Sequence, residues 1–297
     1  MIAALIQSKT ALLKVGLAFA VPLAVAGVPS SPQRASENRV TASETVRVPP
    51  TAFSYRAAGE FNRERVAVNA PLLRLRRDAP VVIMKSQVTE AAFEECVRDG
   101  ACRALASRNM ARPDVPVSGV SWEDATAYAR WLSSRTGEIW RLPTDEEWVF
   151  AAGSRVKDEA IETDSDDFSQ RWLAKYDRES ARDRAGDRTT RRIGSFGVNE
   201  HGLLDIAGNV WEWTDSCFVR QSLDATGRTA GEPTTNCGVR VVEGAHRTYA
   251  TSFLRDARGG GCSVGTPPDN LGFRLVRDEG SWLGRFIVSL RRLRPIG

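Results

Sequence analysis

Histidine is nearly absent from this chain: His201 and His246 are the whole supply in 297 residues. A metal centre built on about three imidazoles is excluded by counting, and no H-x-x-x-H spacing occurs. A surplus of one charge is lacking too. The 41 basic and 37 acidic side chains leave a formal charge of +4, with no basic domain, which excludes nucleic acid as a partner. The apolar run Val15 to Val25 is interrupted by Gly16 and Pro22 and is shorter than the ~20 residues that span a bilayer. No Ser-His-Asp signature, phosphate-binding glycine loop, zinc spacing or solenoid-length repeat is present.

What is present suits a globular protein. The composition is 42% hydrophobic with eight tryptophans, and the length favours one large domain with short extensions. Lys9 and Lys14 precede the apolar run, and Ala24-Val25-Ala26 closes it with the small-x-small pattern of a cleavage site. Residues 1–26 therefore read as a signal peptide cleaved after Ala26, which predicts a periplasmic or secreted location. In an oxidising compartment the five cysteines should mostly pair. Cys96 and Cys102 bracket a short turn and are the easiest pair to close. Two of Cys217, Cys237 and Cys262 are expected to form a second bridge, leaving one thiol over.

Residues 27–50 are rich in Pro, Ser and Thr and read as a linker. Strand-like runs follow from about Thr51, among them Val66–Val68 and Pro80–Met84. Thr89 can cap a helix whose Ala92, Phe93, Cys96 and Val97 share a face, with Gly100 as its stop. Ser121 and Asp124 have the spacing of a capping box ahead of a helix from Trp122 to Thr136, ended by Gly137. Its inner face carries Trp122, Ala125, Ala129 and Leu132. Thr144 and Glu147 repeat the device before a short helix with Trp148, Ala151 and Ala152, closed by Gly153. Residues 154–192 alternate charges of both signs and read as a solvated insertion with Trp172, Leu173 and Tyr176 as its apolar anchor. Beyond it, short runs are separated by Gly, Asn and Pro. Few helices, many short strands and much irregular chain predict an α+β domain over 51–279.

Four stretches carry a family resemblance. Arg141-Leu142-Pro143-Thr144-Asp145-Glu146-Glu147-Trp148 with Ala151-Ala152, Gly208-Asn209-Val210-Trp211-Glu212-Trp213-Thr214, Asn270-Leu271-Gly272-Phe273-Arg274 and the segment Val117–Ala129 stand in this order. They resemble the signatures of the formylglycine-generating enzyme (sulfatase-modifying factor) family. The resemblance implies a single domain related to the C-type lectin fold, with much irregular structure held by Ca²⁺ and aromatic packing. Physically, Trp211 and Trp213 are two apart and should point the same way in a strand, and Arg274 beside Phe273 should need an acidic or carbonyl partner.

The family's activity is oxidation of a client cysteine to formylglycine with O₂ and a Cu(I) ion held by two cysteines. Here the stretch similar to the family's C-H-R-S-Y-C reads Ala245-His246-Arg247-Thr248-Tyr249-Ala250. A methyl group cannot replace a soft thiolate, so the copper site and the standard oxidase activity are predicted absent. Cys262, a single thiol, is more easily read as a disulfide partner than as a substitute. The resemblance also implies a calcium site at Asp205, Ala207, Gly208 and Val210, with a plain turn capped by Asp205 as the alternative.

Three functions follow from this reading. The first is an exported accessory or maturation factor that holds a client enzyme or peptide in the family's groove, lined by Trp211, His246, Arg247 and Tyr249. The segment from Asn236 to Arg240 and on through Arg255–Arg258 is most similar to NirV-type accessory proteins associated with copper nitrite reductase in denitrifying bacteria. The second is an enzyme of different chemistry in the same pocket, and the third a lectin-like binding module. Separately, residues 280–297 form a basic amphipathic tail, with Trp282, Leu283, Phe286, Ile287 and Leu290 on one face. Such a tail can lie on an anionic membrane surface or dock on the domain.

Overall fold

The helices that follow Thr89, Ser121 and Thr144 each begin and end where their caps place them. Elements are numbered in chain order. In the computed structural model α1 (Glu90–Arg98) starts at Thr89, whose hydroxyl accepts the Ala92 N–H at 3.2 Å. Helix α2 (Trp122–Thr136) has both halves of its capping box, Ser121 with Asp124, and stops at Gly137 with φ of 78°. Helix α3 (Asp145–Ala152) repeats the box with Thr144 and Glu147 and stops at Gly153. A positive φ costs glycine little, because it has no Cβ to clash. The structure describes residues 44–105, 112–157, 189–255 and 270–279, with isolated positions between 160 and 177. The chain divides after Asn38, and every described residue follows that point. The signal peptide, Trp172 and Tyr176 of the insertion, Cys262 and the tail 280–297 lie outside the described residues.

A four-stranded antiparallel sheet has the order β1 (Thr45–Val48), β6 (Val81–Met84), β12 (Val276–Asp278), β7 (Ile139–Arg141). Strand β1 falls inside the segment read as a linker, so the folded chain begins earlier than Thr51. Its sequence explains why: Thr45-Val46-Arg47-Val48 alternates, and Val48 is fully buried against β6. A second sheet runs β10 (Thr248–Thr251), β9 (Thr229–Glu243), β8 (Trp211–Leu223), β3 (Glu60–Arg63), β4 (Val66–Val68), with β11 (Leu271–Gly272) parallel to β8. Strands β2 (Ala52–Arg56) and β5 (Leu72–Arg76) form a separate ribbon.

The expectation of only short runs after the insertion is corrected by β8 and β9, which are 13 and 15 residues long. Glycine, asparagine and proline do not end these strands because register shifts between Trp213 and Ser222 absorb them as bulges.

Two apolar clusters fill the domain. One joins Phe93, Tyr128, Leu132, Trp213, Leu271 and Phe273, with Trp211 packed against it. The other joins Val48, Ile83, Trp148, Phe150, Leu203 and Ile206. Between them runs a buried polar network. Arg274, 0% exposed, donates to both oxygens of Glu212 at 2.7 and 2.8 Å and to the carbonyls of Met84, Lys85 and Leu204. Glu212 also accepts from Trp148 Nε1 and Gln87 Nε2, each at 2.8 Å. Arg274 thus has both kinds of partner its burial demands. Among the described residues, no helix is long and apolar enough to cross a membrane.

Candidate functional site

The end of β9 turns toward α3 through Glu243 and Gly244. Gly244 is needed there: a Cβ would lie 2.6 Å from Trp211 Cδ1. The turn that follows presents Ala245, His246 and Arg247 to a cavity of about 370 Å³. Its other walls come from β2 (Phe53, Ser54, Arg56), Leu72 of β5, the end of α3 (Trp148 to Phe150) and Gly153, Ser154, Val156 and Lys157. Apolar rings and aliphatic chains therefore stand beside Arg56, Lys157 and the Glu243 carboxyl.

At the floor of this cavity is a charge cluster. Arg247 Nε donates to Glu243 Oε1 at 2.6 Å, its Nη2 lies 3.2 Å from Asp145 Oδ2, and its Nη1 donates to the Arg56 carbonyl at 2.8 Å. Tyr55 donates its hydroxyl proton to Asp145 Oδ2 at 2.6 Å. Two buried carboxylates thus face one guanidinium. Burial, reinforced by Asp145, raises the Glu243 carboxyl well above the ordinary carboxylate range, although Arg247 pulls it down. Asp145 beside it thus works with burial against ionisation of Glu243, and Arg247 works for it. Burial and then Asp145 raise the Tyr55 phenol. Arg247 stays charged, because its two carboxyl neighbours outweigh its burial.

Of the four residues expected to line a groove, the structure brings His246 and Arg247 to the cavity. Trp211 supports them from behind, with its ring 5.4 Å from that of His246 and its Nε1 donating to the His246 carbonyl at 3.2 Å. Tyr249 is directed elsewhere. Its hydroxyl accepts the Gly59 N–H at 2.7 Å, and its ring packs edge-on against Phe218. Ala245 is exposed at the cavity wall, whereas Ala250 is buried in β10 opposite Arg240.

Tyr55, Asp145 and Glu243 escaped the sequence reading. Glu243 did leave one signal, an acid directly after Val241-Val242 at the buried end of a strand. Asp145 stood inside a motif and read only as the start of a helix. Disulfides join Cys96 to Cys102 and Cys217 to Cys237.

The turn Asp205–Val210 is held by hydrogen bonds. The Asp205 carboxylate accepts the backbone N–H groups of Gly194 and Phe196 at 2.5 and 2.7 Å. Gln87 Nε2 lies within hydrogen-bond distance of the carbonyls of Asp205 (3.2 Å) and Gly208 (3.1 Å). A calcium ion takes about six to eight oxygens. Here both carboxylate oxygens and these two carbonyls are already turned to N–H donors, so the arrangement suits a capped turn better than a calcium loop.

A family model for the sulfatase-modifying factor enzyme 1-like domain matches residues 31–279. The formylglycine-generating enzyme of Streptomyces coelicolor is 34% identical over 184 residues, covering 56% of this chain and 54% of that protein. A Bos taurus protein named inactive C-alpha-formylglycine-generating enzyme 2 is 32% identical over 183 residues, covering 56% and 52%. The Bos taurus formylglycine-generating enzyme is 30% identical over 182 residues, covering 57% and 45%. The chain spans about half the length of the curated relatives it matches. Among solved structures, PvdO from Pseudomonas aeruginosa aligns with a TM-score of 0.50 at 18% identity, over 80% of this chain and 94% of that one. This is a likeness of fold.

Proposed function

The chain belongs to the sulfatase-modifying factor enzyme 1-like family, and we propose that it serves there as an exported accessory factor that holds a partner enzyme rather than oxidising a client cysteine. One observation carries this reading. The cavity beside the family's redox position is walled by Phe53, Leu72, Arg56, Lys157, His246 and Ala245, and among the described residues none of its lining side chains is a thiol. Cu(I) needs soft ligands, which this wall does not offer. A relative named inactive in the same family is consistent with a fold retained for binding. The partner is an exported enzyme or peptide, with nitrite reductase as the first to test.

Arg247 is a poor choice for a binding test, because its removal would leave Asp145 and Glu243 without their cation. Leu72, 55% exposed, and Lys157 stand at the mouth. In co-purification from a periplasmic extract, Leu72→Ser with Lys157→Glu should abolish capture of the partner while the melting curve stays unchanged. Conversion of a cysteinyl peptide to its aldehyde by the purified chain with O₂ and Cu(I) would refute the reading.

An enzyme of different chemistry in the same cavity is favoured by the Glu243 carboxyl in its wall, whose upward shift by burial suits a general acid. Turnover of an exported small molecule that is lost in Glu243→Gln would select that alternative.

A further inference from the structure

The Cys217–Cys237 bridge sits at an irregular point of the long hairpin. Cys217 pairs with Arg240 across the strands while the next residue, Phe218, pairs with Asn236, so residues 237–239 form a bulge between successive rungs with β8, with Val239 still paired to Thr251 of β10. The Gly238 N–H donates to Asn236 Oδ1 at 3.0 Å and holds the loop. Within the bridge the two cysteines differ as residues. Cys237 is exposed and Cys217 is half-buried.

Cys217 also has a cation beside it. Arg240 Nη1 lies 3.5 Å from Cys217 Sγ and donates to the Asp215 carbonyl at 2.7 Å, with Asp215 Oδ1 at 3.3 Å. The guanidinium is fixed 3.9 Å over the Trp122 ring, and its buried Nε–H has no acceptor among the described residues. Asp215 itself faces Arg141 and Glu147 as well as Arg240. In thiol–disulfide exchange the incoming thiolate attacks one sulfur, and the reaction is faster when the other leaves as a stabilised thiolate. An arginine lowers the pKa of a neighbouring thiol. Here the more exposed cysteine and the one with the cation beside its sulfur are opposite ends of one bond.

We propose that Cys217–Cys237 is a thiol–disulfide exchange site that accepts electrons from an exposed dithiol of a partner protein or peptide. A partner thiolate attacks Cys237 Sγ, the S–S bond breaks, and its electron pair stays on Cys217 Sγ as a thiolate beside Arg240. The partner's second thiolate then attacks its own sulfur in the mixed disulfide and releases Cys237. The partner dithiol becomes a disulfide, and Cys217 and Cys237 become thiols, a two-electron, two-proton transfer. This proposal is independent of the accessory reading.

The test uses the native full chain with glutathione and with a Cys-x-x-Cys peptide in its dithiol form. Glutathione adducts located by mass spectrometry should fall on Cys237, and the peptide should reduce Cys217–Cys237 without unfolding. The fully buried Cys96, bridged to Cys102, provides an internal control that should stay oxidised. In Cys237→Ser, the pH profile of Cys217 alkylation should give a pKa below about 7.5, and adding Arg240→Met should raise it by about one unit or more. Adding Arg240→Lys instead should restore most of the shift, which a purely structural role of Arg240 would not predict. Adducts on Cys217, reduction only with unfolding, or a Cys217 pKa indifferent to Arg240 would each overturn the proposal.

Discussion

Arg274 shows what one side chain must find when it is buried. Its guanidinium is fully enclosed, yet it reaches Glu212 and the carbonyls of Met84, Lys85 and Leu204. A charge taken out of water and then deprived of its counter-ion costs about 3–5 kcal/mol. Arg274→Met should therefore lower unfolding stability by that amount in denaturant titrations, because Glu212 would keep its burial and lose its cation. Glu212→Gln should cost at least as much although it keeps the side chain's size, since Arg274 stays charged without its carboxylate and the new amide N–H groups face other donors. A loss confined to Arg274→Met would mean that packing volume, not charge, holds this site.

At the scale of elements, short signals decide local structure and bulges decide the rest. The capping box of α2 does two jobs, because Asp124 also receives a bidentate pair of hydrogen bonds from Arg255 at 2.6 and 2.7 Å. Ser121→Ala removes the cap's acceptor and should cost about 1 kcal/mol in thermal or denaturant unfolding. Asp124→Ala should cost more, because it breaks the tie to Arg255 as well. The turn Asp205–Val210 yields a second expectation. With the Asp205 carboxylate already accepting two amides, a calcium chelator should leave the melting temperature within about 1–2 °C of its value in calcium; for a chain of this size 1 kcal/mol corresponds to about 2–4 °C. A fall beyond that range would restore Asp205, Ala207, Gly208 and Val210 as calcium ligands.

For the molecule as a whole, buried carboxylates set the response to pH, and they act in opposite directions. Burial pushes Asp124 up, but hydrogen bonds from Arg255 and Ser121 win and hold it below its usual value. Glu147 is likewise held down, against its burial, by Arg141. A depressed pKa gives stability that is present above the unfolded value, about 4, and is lost as pH falls through the folded one. Glu243 is raised, so its contribution is complete below the unfolded value and is lost as pH rises through the folded one. Stability should therefore peak in mildly acidic solution. Glu243→Gln should change little near pH 4 and gain progressively on the wild type at higher pH, flattening only the alkaline side of a melting-temperature profile. A parallel offset at every pH would show that Glu243 is not the group titrating there.

Much of this was written in the order of residues. The caps at Thr89, Ser121 and Thr144, the stops at Gly137 and Gly153, the α+β character and the family all followed from short patterns, because helix ends are satisfied by neighbours a few positions away. The need of Arg274 for a partner was legible as well, since burying a charge has only a few solutions. The identity of that partner was not. Glu212, Gln87 and Trp148 lie far from Arg274 in sequence, and no local rule ranks one acid above another. The same holds for the charge cluster by the cavity, where Tyr55, Asp145 and the turn from Glu243 to Arg247 meet from three segments, and for the choice of Cys237 as the partner of Cys217. These are decided by which surfaces the packed sheets and helices bring together. Only tertiary structure sets those distances, and with them the upward shift of the Glu243 carboxyl and the position of Arg240 beside a disulfide sulfur.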